Sequence, residues 1–233
     1  QRCVDELLEL EQQTDLDGEL VVERLPATVQ LATTALVFAM FVGIPLGLVG
    51  GFNPGSVVDS VGRFLALLGQ SIPNFWLGLI LMLFFAVRLG WLPSFGRDEW
   101  KSVILPALVL GLPTMGQLVR LTRSAVLEVR GEDFVRTARA KGLVERVTLL
   151  RHVLPNAAIP IVTIVGLQIA SLLGGVVIVE IIFAWPGLGR LALDAVIRRD
   201  YPMVQGAVLL VADSGRGGRE VALKRVERAD AVL

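Results

Sequence analysis

Cysteine occurs once in the 233 residues, at Cys3, and histidine once, at His152. A single cysteine excludes an internal disulfide framework and cannot make a metal site alone. A single histidine removes most histidine-ligated metal sites and Ser/His/Asp catalysis. The sequence has no GxxxxGK followed by Ser or Thr, so it has no P-loop for nucleotide, and it has no HExxH. Formal net charge is zero, which gives no electrostatic reason to expect nucleic acid as a partner. Enzyme chemistry is therefore not expected of this chain, and no cofactor is expected to be bound by it.

Charge is also missing over long distances. No charged side chain occurs in Leu25–Val58, Phe64–Val87, Ser102–Val119 or His152–Val179. With 54% hydrophobic residues and a mean hydropathy of +0.67, these runs predict membrane-spanning helices. A span needs about 20 apolar residues at 1.5 Å each, so three runs qualify easily and the third narrowly. GFNPG at 51–55 is turn chemistry, which predicts the first helix over about 27–51. The fourth is predicted to be helical from about Ala157. Pro45, Pro73, Pro106, Pro113 and Pro160 fall inside the runs, where lipid-embedded helices tolerate them as kinks. Gly43 and Gly47 are spaced for close helix–helix approach. The expected fold class is all-α, a polytopic membrane helical bundle with four complete spans and a truncated fifth. That fifth run begins at Tyr201 and stops after twelve residues.

The intervening segments give an orientation. Residues 120–151 hold eight basic residues, whereas 88–101 and 180–201 hold three each. The positive-inside rule then puts 120–155 in the cytoplasm and the two smaller loops outside. The acidic segment 1–24 is expected outside, and Trp91, Trp100 and Trp185 are expected to form an outer aromatic belt. Glu180 and Asp194 fall in an outer loop and are expected to be solvated. With no basic n-region before an early apolar run, no signal peptide is expected.

The stretch RTARAKGLVERVTLLRHVLPN (136–156) concentrates five basic residues with one acidic one. Topology alone explains the charge. It does not explain why Val135, Ala138 and Gly142 share one helical face, at i, i+3 and i+7. Two short helices, 132–141 and 143–152, are predicted around Gly142, with Pro155 starting the next membrane helix, where its missing N–H is not needed. The small face suits close docking on a partner, and Arg136, Arg139 and Lys141 suit polar contacts that fix orientation.

RTARAKG followed by Leu154-Pro155 resembles the EAA loop of bacterial ABC importer permeases. Arg136, Thr137 and Ala138 stand at the Glu-Ala-Ala positions, Gly142 at the glycine, and His152 where the pattern has Ile. ERLPATVQLA (23–32), SIPNFWLGL (71–79), RLGWLPSFG (88–96), LTRSAVLEV (121–129) and FAWPGLGRLALDAVIRRDYPMVQG (183–206) resemble the dipeptide/oligopeptide/nickel branch. The resemblance covers about residues 20–211 and implies a pore subunit of a type I importer in the bacterial inner membrane.

That resemblance implies several partners: a second permease, two cytoplasmic ATPases that use ATP and Mg, a periplasmic or lipid-anchored solute-binding protein, and membrane lipid. It implies that the loop docks in the ATPase. Ala138 and Gly142 would give close approach there, Arg136, Arg139 and Lys141 polar contacts, and Leu154-Pro155 the hinge into the helix. Residues 1–24 are then a periplasmic segment, 25–211 the permease domain, and 212–233 a polar tail unlike the family. The resemblance also implies a missing first span and a broken last one, so a fragment with a shifted frame is expected. Peptides are the expected solutes. Nickel or glutathione transport, a decayed or scaffold subunit, and a membrane-embedded enzyme are the alternatives.

Overall fold

The computed structural model describes residues 2–199, and among these every regular element is a helix. The fifth apolar run and the polar tail lie outside the described residues. Eight α-helices follow in order: α1 (Arg2–Phe52), α2 (Val57–Ser71), α3 (Asn74–Leu81), α4 (Ile104–Gly131), α5 (Asp133–Ala140), α6 (Glu145–Thr148), α7 (Leu154–Ile182) and α8 (Leu188–Arg198). Met82–Arg88 and Leu149–Val153 are π-helical, and Trp100–Val103 is a 3-10 turn leading into α4. Three helical stretches are long and apolar enough to cross a membrane, or four if the broken pair around Pro73 counts as one.

The helices differ from the charge-free runs in three ways. The first helix does not start near residue 27, because nothing in the acidic segment breaks it and it continues back to Arg2. The second run is interrupted, because Pro73 pushes Ile72 into extended backbone (φ −90°, ψ 123°) and α2 ends there. The third and fourth run past their apolar limits. Twelve residues of the expected loop, 120–131, prolong α4, and the short helix expected before Pro155 begins at Glu145 and runs into α7 without a break. Apolar runs record burial in lipid, whereas helix ends follow caps and breakers, so the two need not coincide.

The chain divides into two compact units. Among the described residues one unit comprises 2–34, 74–110 and 171–199, and the other 35–73 and 111–170. In the second unit α1 packs on α4 through small residues. A Cβ on Gly43 would lie 2.9 Å from the Met115 carbonyl oxygen, and one on Gly47 would lie 2.7 Å from Thr122 Cβ. Glycine is required at both because the two backbones are too close for any side chain. The opposite face of α1 presents Val37, Phe41 and Val49, all exposed and apolar, as a lipid-facing stripe should be.

Between α1 and α2, Gly55 takes φ +83° in the turn, and Ser56 Oγ accepts from Asp59 N at 3.1 Å to cap α2. Asp59 is buried and accepts from Arg123 Nε at 2.6 Å, from Arg123 Nη2 at 3.2 Å and from Gly55 N at 2.9 Å. The bidentate pair fastens the start of α2 to α4, and with the Gly55 N–H it leaves neither carboxylate oxygen bare.

In the other unit, Glu180 corrects the expectation of a solvated loop residue. It lies in α7 with no exposed surface. Thr28 Oγ1 donates to its Oε1 at 2.7 Å, and the Gly189 and Arg190 N–H groups donate to its Oε2 at 2.8 and 3.1 Å. Thr28 Oγ1 in turn accepts from Leu188 N at 2.8 Å. Glu180 thus satisfies the free N–H groups at the start of α8, a role sequence-adjacent caps usually fill. Burial also overtakes Trp185, expected in an aromatic belt. It is 1% exposed, and its indole N–H donates to the Ala27 carbonyl at 2.9 Å. Trp91 and Trp100 are exposed.

Candidate functional site

The segment after α4 is where the expected contact residues gather. Glu132 leaves helical geometry (φ −66°, ψ 149°), and α5 begins at Asp133. Val135 and Ala138, spaced i and i+3, are both buried. They do not face outward. Val135 joins a core with Ala125, Val126, Val153, Ala157 and Ile161, against which Ile44, Leu48 and Phe52 also pack. Ala138, on the same face, is 6% exposed, so this face is covered within the chain. The exposed side of the segment carries Phe134, Arg136, Lys141, Leu143, Val144 and Val147.

Gly142 also has a different physical cause from the one the spacing implied. It adopts φ +80°, and a Cβ there would meet nothing within 4 Å. Its N–H bonds the Arg139 carbonyl at 2.9 Å, while Leu143 N bonds the Ala138 carbonyl at 3.4 Å. This pairing of C′ and C″ with the last turn is a Schellman C-cap, which needs a left-handed residue and hence glycine. Gly142 thus ends α5 and turns the chain, so that α6 can start at Glu145 beside α5.

A chain of charged bonds then fixes α5. Arg139 donates to Glu145 through Nε at 3.0 Å and Nη2 at 2.8 Å. Glu145 also meets Arg130 Nη2 at 3.5 Å. Arg130 Nη1 donates to the Gly51 and Phe52 carbonyls at 2.9 and 2.7 Å, the last carbonyls of α1. These would otherwise lack partners at the helix end, where a cation is also favoured by the helix dipole. Arg139 is thus an internal tie rather than a free contact. Arg136 pairs with Asp133 at 3.5 Å, and both side chains are so exposed that the pair contributes little.

Leu154 is half-buried and Pro155 exposed at the start of α7. Pro155 does not open a new helix, as its position in the sequence suggested. Helical backbone already runs from Glu145, and the turn just before it is π-helical, with Leu154 N bonded to the Leu149 carbonyl five residues back. A proline ring clashes with the carbonyl four residues earlier in a regular helix. The widened turn removes that clash, so the proline is carried inside a continuing helix.

Three features here escaped sequence reasoning: Arg130 at the end of α1, the Asp59–Arg123 pair, and Glu180 under α8. The first two come from single charged residues whose partners lie 64 or more positions away. Glu180 had a nearer signal, an acid nine residues before Gly189 in a Pro-Gly-Leu-Gly turn. A Cβ at Gly187 would overlap the Glu180 carboxylate, so that glycine and that acid require each other.

Residues 43–212 match the binding-protein-dependent transport system inner membrane component family. The chain belongs to this family. The glutathione transport system permease protein GsiC of Salmonella choleraesuis (strain SC-B67) is 46% identical over 193 residues, covering 83% of this chain and 63% of that protein. The dipeptide transport system permease protein DppB of Escherichia coli (strain K12) is 42% identical over 225 residues, covering 83% of this chain and 66% of DppB. The chain thus spans just under two thirds of the length of these relatives. Among solved structures, an amino acid ABC transporter with histidines superposes with a TM-score of 0.74 at 15% identity, covering 95% of this chain and 97% of the other. The inward-facing MetNI methionine ABC transporter gives 0.65 at 19% identity, covering 88% and 95%. At these identities the two structures speak for the fold, which is that of ABC transporter membrane subunits. This member of the permease family is an all-α membrane protein.

Proposed function

We propose that the chain is the membrane-spanning permease subunit of an ATP-driven importer for short peptides or glutathione-like solutes, and that α5 through α6 receive the motion of cytoplasmic ATPases. The observation that carries this reading is the two-sided build of the segment 133–148, from α5 through α6. One side is locked to its own chain by Val135, Ala138 and the Arg139–Glu145–Arg130 bonds, and the other leaves Phe134, Arg136, Lys141, Val144 and Val147 exposed. A short helix held rigidly on the ends of α1, α4 and α7 transmits a push applied to its free side. Gly142 shapes that surface, and Leu154-Pro155 continues it into α7.

In this reading residues 120–155 face the cytoplasm of a bacterium, on the basic-residue count, and the protein sits in the inner membrane. Its partners are a second permease, two ATP-binding subunits that use ATP and Mg, and a periplasmic or lipid-anchored solute-binding protein. Relatives that are more than 40% identical and are named for glutathione and dipeptide transport support the peptide or glutathione class. Co-expression with the ATPases tests the contact. Phe134→Asp and Val144→Asp are expected to abolish co-purification while the permease stays in the membrane fraction. Undiminished co-purification of both would overturn the assignment.

A further inference from the structure

Gln70, Gln117 and Gln168 each lie inside a charge-free run, yet α2, α4 and α7 bring them together. Gln168 is buried and donates through Nε2 to the Gln117 carbonyl oxygen. Gly116 lets α2 come within backbone contact of α4: a Cβ there would be 2.7 Å from the Ala66 carbonyl oxygen and 3.1 Å from Gln70 Nε2. Gln70 is exposed and Gln117 half-buried. Gln70 Nε2 donates to its own helix, to the Ala66 carbonyl at 3.0 Å.

A primary amide has two donors and an accepting oxygen. One bond between Gln168 and Gln117, and one from Gln70 to its own backbone, leave amide capacity unused. Lipid cannot fill it, and polar groups within a span are costly unless they face a partner or a water-filled space. The molecule already shows what its lipid-facing surface looks like, in Val37, Phe41 and Val49 of α1. The glutamine surface is different. Toward the Asp59–Arg123 end it leads, past exposed Leu67, to exposed Arg63, one heptad before Gln70 on α2, and to exposed Arg120, three residues after Gln117 on α4. Polarity that rises along two adjacent helices suits a wetted wall.

We infer that Gln70 and Gln117, with Gln168 holding Gln117 in place, form an amide-binding station on the translocation path, where they exchange hydrogen bonds with the N–H and C=O groups of a short peptide. This rests on the permease reading above. Amide side chains match peptide groups without a net charge, so the station would pass solutes with different side chains while favouring those with a peptide backbone. Gln168 is a positioning residue, since it acts through Gln117.

The test uses the assembled transporter, with its second permease, ATPases and binding protein, in a Cys3→Ser background that removes the one native thiol. Gln70→Cys and Gln117→Cys are expected to react with a small hydrophilic thiol reagent, and a transported dipeptide should slow that reaction. Phe41→Cys, on the apolar face, should stay unreactive. Gln117→Leu is expected to reduce dipeptide uptake about tenfold, the equivalent of one good hydrogen bond, with ATPase co-purification unchanged. Unreactive thiols at both glutamine positions in an assembled, transporting complex would overturn this inference alone, as would full uptake by Gln117→Leu. Failure of the unsubstituted chain to assemble with ATPases would instead overturn the permease reading. If Gln117→Leu fails to fold, the two cysteine variants still decide.

Discussion

Single residues in this chain are fixed by backbone geometry as often as by chemistry. Gly142 illustrates the difference. Its neighbours leave ample room for a side chain, so space does not demand glycine; φ +80° does. Gly142→Ala forces an L-residue into the left-handed region, at a cost of about 1–2 kcal/mol. Faster proteolysis within 139–145 of the membrane-embedded protein is the expected outcome, with Gly142→Asn intermediate because asparagine tolerates that region. Ala138 is the converse case, since its backbone is ordinary and its surroundings are full. Ala138→Leu overpacks the junction of α5 with its own chain, typically costing about 1–3 kcal/mol. A lower melting temperature in detergent checks this, and so does weaker ATPase binding, because a lifted α5 misplaces Phe134. Glu180→Ala strips the buried partner from the Gly189 and Arg190 N–H groups, each then costing about 1–3 kcal/mol. Glu180→Gln keeps an acceptor and is expected to lose less in a thermal-shift comparison of the two variants.

At the scale of elements, the sequence was legible wherever lipid sets the pattern. Uninterrupted apolar runs located all the long helices, because nothing else in protein chemistry demands such runs. It was less legible where local covalent geometry competes with them. Pro73 breaks a run that hydropathy reads as one span, while Pro155, Pro113 and Pro160 are carried inside helices that continue. At Pro155 the preceding turn is widened, which a one-dimensional pattern does not record. The candidate site divides in the same way. The spacing of Val135 and Ala138 correctly marked one helical face, and Gly142 the turn. Which face is free depends on the placement of α4 and α7, and on Arg130 and Glu145, whose bonds join distant residues. That network makes its own prediction. Glu145→Gln weakens the tie between α5 and the end of α1, so futile ATP hydrolysis per solute imported is expected to rise with assembly retained. Simultaneous assay of ATPase activity and uptake in proteoliposomes measures it, and an unchanged ratio would mean that the tie plays no part in coupling.

For the whole molecule, the division of labour we propose leaves the chemistry of ATP to other chains while this one supplies shape and stiffness. The family match and the ABC transporter fold agree with the long apolar runs of the sequence. We propose that the ATPase bears on the free side of residues 134–147. The most direct measurement is photocross-linking in the assembled complex, with a benzoylphenylalanine placed in turn at Phe134, Val144 and, as the lipid-facing reference, Phe41. ATPase adducts are expected from the first two positions and none from the third, identified by mass spectrometry of the linked peptides. ATPase adducts absent from both Phe134 and Val144 in a complex that still hydrolyses ATP would contradict it.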